Sequence, residues 1–327
     1  MSFRNPAFLK LTPFVLLRAT LESWVEDKAL RLSAAVAYYS IFSIAPLLIL
    51  SISLAGVVFG EEAVKGHLQS QLINYVGEPA ATAVQSMVKS AARAEQGFIA
   101  TVLGFVTLLL GATGVFGQLK DALNTIWEVR VKPGKAWLQW LRERVVSFGM
   151  VLVIGFLLLT SLLLTTAMAG LHEYLETVYP VPGFFWTGVS LLTSFGFVTV
   201  LFAFIFKVLP DAIIAWRDVW AGAIFTSALF EIGKLGLSLY LGRESTVSSY
   251  GAAGAVVLLL LWVYYNACIL FLGAEFTQIY TLHTGRRIRP APGAELIETQ
   301  DRLQQGLAPA THRILVEEDG LPKPPSN

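Results

Sequence analysis

The run GAAGAVVLLLLWVYYNACILFLGAEFTQIY, Gly251–Tyr280, sets the class of this fold. It holds no charged residue before Glu275 and exceeds the roughly 20 residues that cross the hydrocarbon core of a bilayer. Tilt, or extension of the helix into the cytoplasm, would absorb the excess, and Glu275 near its end favours extension. Further stretches of span length precede it at Ser33–Phe59, Phe98–Phe116, Val145–Gly170, Phe184–Leu209 and Val219–Leu241. Composition agrees. Of 327 residues, 55% are hydrophobic and 14% charged, with mean hydropathy +0.62, which is more apolar surface than a soluble domain of this size can bury. The expected fold class is all-α: a polytopic membrane protein with about six transmembrane helices.

Basic residues in the short connections set the expected orientation. Arg4, Lys10, Arg18, Lys28 and Arg31 precede the first span; Lys120, Arg130, Lys132, Lys135, Arg142 and Arg144 follow the second; Arg286, Arg287 and Arg289 follow the sixth. The opposite connections are poorer: Leu171–Gly183 has Glu173 and Glu176 but no Lys or Arg, and Gly242–Tyr250 has Arg243 alone. Both termini and the Gln118–Arg144 connection are therefore expected in the cytoplasm, with Gly60–Gln96, Leu171–Gly183 and Gly242–Tyr250 outside. The expected organisation is a cytoplasmic or interfacial segment 1–32, a transmembrane domain 33–281 and a largely disordered cytoplasmic tail 282–327. Within the first segment Phe14, Leu17, Leu21, Trp24 and Val25 fall at helical spacing, which predicts an interfacial helix. The mixed apolar and polar pattern of Gly60–Gln96 predicts amphipathic helices broken near Gly77–Pro79, a candidate cap.

A net charge of +1 with no concentrated basic field gives no nucleic-acid surface. Cys268 stands alone, and His67, His172, His283 and His312 are scattered, so neither a disulfide framework nor a zinc spacing is present and no cofactor motif is found. The apolar run from Ser33 is too long for a secretory h-region and lacks a small-residue cleavage site, so it is expected to remain as an anchor.

Candidate functional residues are the polar ones inside the spans. Glu231 and Lys234 lie at i and i+3 in an apolar helix, where each charge would cost roughly 2.5–3.5 kcal/mol if unpaired. Ser227 and Ser238 continue their face, giving a polar stripe fit to line a cavity; the alternative is an ion pair that only locks helices together. Tyr38, Tyr39, Ser43 and Pro46 form a second cluster, where proline removes a backbone donor and can expose carbonyls; the serines can equally bond back to their own helix. Tyr264, Tyr265 and Asn266 place polar groups in the sixth span, where a single Asn commonly joins helices. Glu275 completes the candidate set. Gly104, Thr107, Gly111 and Gly114, with Gly233 and Gly236, mark close helix packing, and Trp127 beside Asn124 reads as an interface anchor.

The stretches Ala34–Leu47 (AAVAYYSIFSIAPL), Ala122–Trp127 (ALNTIW), Val208–Asp211 (VLPD), Tyr250–Ala255 (YGAAGA), Leu260–Tyr265 (LLWVYY) and Leu272–Glu275 (LGAE) resemble, in order, the YihY/virulence factor BrkB family of bacterial inner-membrane proteins, some once labelled ribonuclease BN. The resemblance covers roughly Leu21 to Tyr280 and implies a six-span protein for which transport is the usual conjecture. A metal-dependent nuclease needs clustered His and carboxylate ligands, and the sequence offers none. The expectation is a non-enzymatic transporter or translocase of a lipid, amphiphile or small solute, with membrane lipids as partners. The alternative is a non-transporting scaffold that docks envelope-assembly proteins.

Overall fold

The computed structural model describes residues 13–41, 81–82, 84–85, 114–132, 149, 160, 183–241 and 251–307. The first three expected spans and the Gly60–Gln96 connection lie largely outside these residues, and Ser43 and Pro46 lie wholly outside them. The described helices are α1 (Pro13–Glu26), α2 (Gly183–Val208), α3 (Trp216–Leu241), α4 (Gly251–His283) and the short α5 (Thr299–Gln304), together with the helical stretches 29–41 and 114–126. The fourth, fifth and sixth expected spans therefore correspond to α2, α3 and α4. Within them, Leu191–Val208 of α2 and Leu259–His283 of α4 are long and apolar enough to cross a membrane by length and composition.

Local chemistry fixes the helix ends. Pro210 has no backbone N–H to offer, and α2 stops two residues before it. Helix α4 ends on Gly285 in the left-handed region, φ 73°, with Gly285 N donating to Leu282 O and Arg286 N to Thr281 O, both at 3.0 Å. This is a Schellman cap, which a residue without Cβ adopts at low cost. Gly306 repeats it after α5, with Leu307 N donating to Arg302 O at 2.9 Å.

Helices α3 and α4 are antiparallel and interlock through a reciprocal contact. A Cβ on Gly222 would stand 1.8 Å from Thr277 Oγ1, and a Cβ on Gly273 would stand 1.8 Å from Thr226 Oγ1. Each threonine hydroxyl also donates to the glycine carbonyl one turn back on its own helix, at 2.7 Å, so it is satisfied without partners across the interface. Two turns along, Tyr265 passes over Gly233, its hydroxyl 1.9 Å from where a Cβ would sit. The close packing expected at Gly233 is thus present, whereas at Gly236 no described residue lies within 4 Å of where a Cβ would sit. A Cβ on Gly114 would stand 3.3 Å from the Tyr39 ring, and Gly104, Thr107 and Gly111 lie outside the described residues.

Helix α1 forms where its periodicity predicts and packs against α4. Phe14, Leu17, Leu21 and Val25 remain exposed along it, Trp24 packs against the core, and Arg18 pairs with Glu22 at 2.8 Å. The core joins Leu123, Ile126 and Trp127 to Phe202 and Phe206 of α2, Val219 and Ala223 of α3, and Phe271 and Ala274 of α4. Trp127 is not an interface anchor. It is 1% exposed, and its indole N–H donates to Ala274 O at 3.2 Å. The N–H finds a carbonyl at the α4 end, so the ring can be buried whole.

The tail also differs from expectation. Strand β3 (Arg289–Pro290) pairs antiparallel with β2 (Ala212–Ile213), and β4 (Ala294–Leu296) with β1 (Val129–Val131). Residues 289–307 are therefore ordered. A polar composition prevents such a segment from folding alone, but these residues complete sheets whose other strands come from the α2–α3 connection and from the stretch after residue 126. Residues 308–327 lie outside the described set.

Candidate functional site

Past the middle of the 26-residue α3, Lys234 Nζ stands 2.6 Å from Glu231 Oε2. The i, i+3 spacing puts both side chains on one face, as the sequence requires. From α2, Ser194 Oγ donates to Glu231 Oε1 across a longer 3.4 Å. The pair is not fully buried: the Lys234 side chain is 24% exposed and that of Glu231 14%. Leu191 and Leu192 on α2 and Ile232 on α3 are exposed apolar residues of the same two helices. One turn before Glu231, Ser227 is fully buried, and its hydroxyl has no hydrogen-bond partner among the described residues. The Ser238 side chain lies outside those described.

The aromatic wall beside this pair is continuous. Ring contacts run from Trp127 to Phe206 (5.9 Å), Phe202 (6.4 Å), Phe230 (6.1 Å), Trp262 (6.0 Å) and Tyr265 (6.5 Å). They cross α2, α3 and α4 and begin in the core at Trp127 and Phe206. Each edge-to-face or stacked pair adds of order 1 kcal/mol beyond burial, which makes this wall rigid.

The other sequence-derived candidates are placed elsewhere. Tyr38 and Tyr39 contact each other at 5.7 Å and are 61% and 43% exposed on the 29–41 stretch, and Ser40 bonds back to Val36 O at 2.7 Å. Asn266 Nδ2 donates to Trp262 O on its own helix at 2.7 Å, so that bond does not join two helices. Tyr264 is half-buried on the same helix. Glu275 is fully buried more than two turns along α4 from Tyr265 and accepts from Ser23 Oγ of α1 at 2.8 Å.

Glu275 belongs to a polar layer at the opposite end of α3 and α4, which sequence reading assigned only to topology. Arg302 of α5 is 2% exposed; it donates through Nη2 to Asp27 Oδ1 and through Nη1 to Thr125 O at 3.0 Å. Burial pushes the Asp27 carboxyl up to about 6, with Glu128 and Glu26 adding to the rise and Arg302 opposing it. Beside them Asp211 is held three ways. Lys120 Nζ lies 2.8 Å from its Oδ2, Asn124 Nδ2 donates to the same oxygen at 3.0 Å, and Asp211 N donates to Asn124 Oδ1 at 2.9 Å. Asp218, fully buried at the start of α3, receives Nε and Nη2 of Arg286 at 3.0 and 2.5 Å, the bidentate geometry guanidinium groups favour. Among the described residues no group of three or more His, Cys, Asp or Glu is placed to hold a metal ion.

Segments quoted for the family resemblance thus meet in space: Asn124 with Asp211, and Trp127 with Ala274. The sequence model of the family described as Virulence factor BrkB matches residues 20–298. The chain belongs to that family. Its relatives include a UPF0761 membrane protein of Alkalilimnicola ehrlichii, 26% identical over 83% of this chain and 59% of the relative. A UPF0761 membrane protein of Ralstonia nicotianae is 27% identical over 84% of this chain and 60% of the relative. One from Pseudoalteromonas translucida is 24% identical over 85% and 88%. The chain spans about three-fifths of the length of the first two relatives. No solved structure matches it significantly. Family membership, the relatives' description as membrane proteins and the apolar helices together make this BrkB-family chain a mostly helical membrane protein.

Proposed function

We propose that this protein is a multi-pass inner-membrane transporter or translocase of a lipid, amphiphile or small solute, with the Glu231–Lys234 pair lining the path between helices. Six spans with both termini in the cytoplasm are part of this proposal, and the distribution of Lys and Arg supports them. So does the even number of apolar stretches, which returns the chain to the side where it started. The cytoplasmic end is then the one built from Asp27, Asp211, Asp218 and Arg302.

One observation carries the reading. An acid and a base sit deep in an apolar helix, paired at 2.6 Å, yet keep partial exposure and engage a hydroxyl on the neighbouring helix. Ionisable residues inside spans are costly and commonly mark substrate or proton pathways.

The test is Glu231→Gln in proteoliposomes. The amide keeps the shape of the side chain and removes its charge, so fold and melting temperature stay near wild type while specific activity per folded molecule is lost. Full specific activity in a destabilised variant would mean the pair is structural, and a docking scaffold would then be the better account.

A further inference from the structure

The outward side of α3 is a single apolar ridge. Trp216, Trp220, Ile224, Ala228 and Ile232 fall four residues apart along it, and all five are exposed. Gly222 and Thr226 turn the other way and meet α4. In a membrane protein the solvent of such a ridge is acyl chain. Its chemistry changes only at the start of the helix, where two indoles replace aliphatic side chains, and indoles settle at the level of lipid headgroups.

Basic groups collect at that same end. Lys207 at the close of α2 has its Nζ 5.5 Å from the centre of the Trp216 ring. Strand β3 sets Arg289 opposite Ile213, three residues before Trp216, and Arg286 holds Asp218, the residue after Arg217. Arg217 and Arg289 are exposed, and neither side chain has a hydrogen bond or ion pair among the described residues. The acids at this end are buried and already engaged, Asp218 by Arg286 and Asp211 by Lys120 and Asn124. Arg217 and Arg289 therefore leave the surface positive.

We infer that the start of α3 is a docking surface for an anionic phospholipid, whose phosphate meets Arg217 and Arg289 while its acyl chains lie along Trp220, Ile224 and Ile232. It stands whether or not Glu231 and Lys234 serve transport. Guanidinium groups offer phosphate oxygens paired N–H donors and are more weakly hydrated than ammonium. A zwitterionic headgroup would bring its own ammonium to the same arginines and forfeit part of the attraction. A soluble phosphate would take the arginines and leave the ridge uncovered.

The experiment titrates the full chain, in an uncharged detergent, with phosphatidylglycerol or phosphatidylcholine of identical acyl chains, and native mass spectrometry reads the lipid retained. Retention of the anionic lipid should be about tenfold tighter. Arg217→Gln/Arg289→Gln should cut that ratio to about threefold or less, whereas Arg18→Gln/Arg31→Gln, which removes the same charge elsewhere, should leave it within about twofold of wild type. Millimolar inorganic phosphate at constant ionic strength should not change the ratio. Equal retention of the two lipids by the wild-type protein would overturn the inference, and that comparison needs no variant to fold. An equal loss in both double variants would mean a diffuse positive field and overturn the site at α3. Competition by inorganic phosphate would overturn the lipid as occupant.

Discussion

Gly273→Ala adds a methyl group where α4 meets α3. The new Cβ would lie 1.8 Å from Thr226 Oγ1, 2.9 Å from Thr226 Cβ and 3.2 Å from Thr226 Cγ2. A carbon–oxygen contact of about 3.3 Å is already close, so the methyl is about 1.5 Å short of room. Rotating Thr226 gives little relief, because Oγ1 would leave Gly222 O and Cγ2 is also within reach of the methyl. The helices must separate, and overpacking of this kind costs about 1–3 kcal/mol. Alanine returns up to about 1 kcal/mol through its higher helix propensity. Net destabilisation of about 1–2 kcal/mol is expected. Gly236→Ala is the matched control: nothing among the described residues lies within 4 Å of its Cβ, so it should be neutral or slightly stabilising. Thermal unfolding in one detergent, followed by loss of the monodisperse peak, compares the two. Thr226→Gly in the Gly273→Ala background should recover part of the loss. A melting temperature for Gly273→Ala at or above wild type would refute the interlocking of α3 and α4.

Asp27 makes stability pH-dependent. Its folded value of about 6 lies above the ordinary 3.8, so its contribution is fully present below about pH 4 and is lost as pH rises through 6. Arg302→Gln removes the group that opposes this rise, while Glu26, Glu128 and Glu275 still face Asp27. The melting-temperature gap to wild type should therefore widen from pH 4.5 to 8, and it should do so much less in an Asp27→Asn background; a gap independent of pH counts against the assignment. Asp211→Ala leaves Lys120 buried without its carboxylate and should cost about 3–5 kcal/mol, while Asp211→Ala/Lys120→Met should recover much of it. Additive losses in that double-mutant cycle would remove the coupling. For topology, a cysteine at Lys135 should resist a membrane-impermeant maleimide in intact cells and one at Glu176 should react; the reverse pattern inverts the orientation.

The helices were legible because lipid imposes long uncharged runs. Phe184–Leu209 and Gly251–Tyr280 were placed within a few residues of α2 and α4, and the i, i+3 spacing alone paired Glu231 with Lys234. What could not be read were partners far apart in sequence. Arg286 lies 68 residues from Asp218, Asn124 lies 87 from Asp211, and Arg302 lies 275 from Asp27. Loop charges look alike whether they set orientation or become buried pairs, and no local periodicity separates the two. The ordered tail had a weak signal, since Gly285, Gly293 and Gly306 are turn residues in a segment that a featureless chain would not need to punctuate. Composition judged that segment alone, whereas its structure depends on strands contributed by residues 129–131 and 212–213.

The layer formed by residues 286–307 also bears on how the protein is made. A ribosome releases Asp27, Lys120–Val131 and Asp211–Asp218 long before it releases Arg286, β4 and Arg302, so the apolar helices are available for membrane insertion while this end of the bundle still lacks its closing pieces. Synthesis that stops before Arg302 leaves the Asp27 carboxylate, already costly to ionise, without its guanidinium. Quality control acting on exposed, unsatisfied surface would then recognise truncated chains by this end of the molecule rather than by the apolar helices, the last of which ends at His283, ahead of β4 and Arg302.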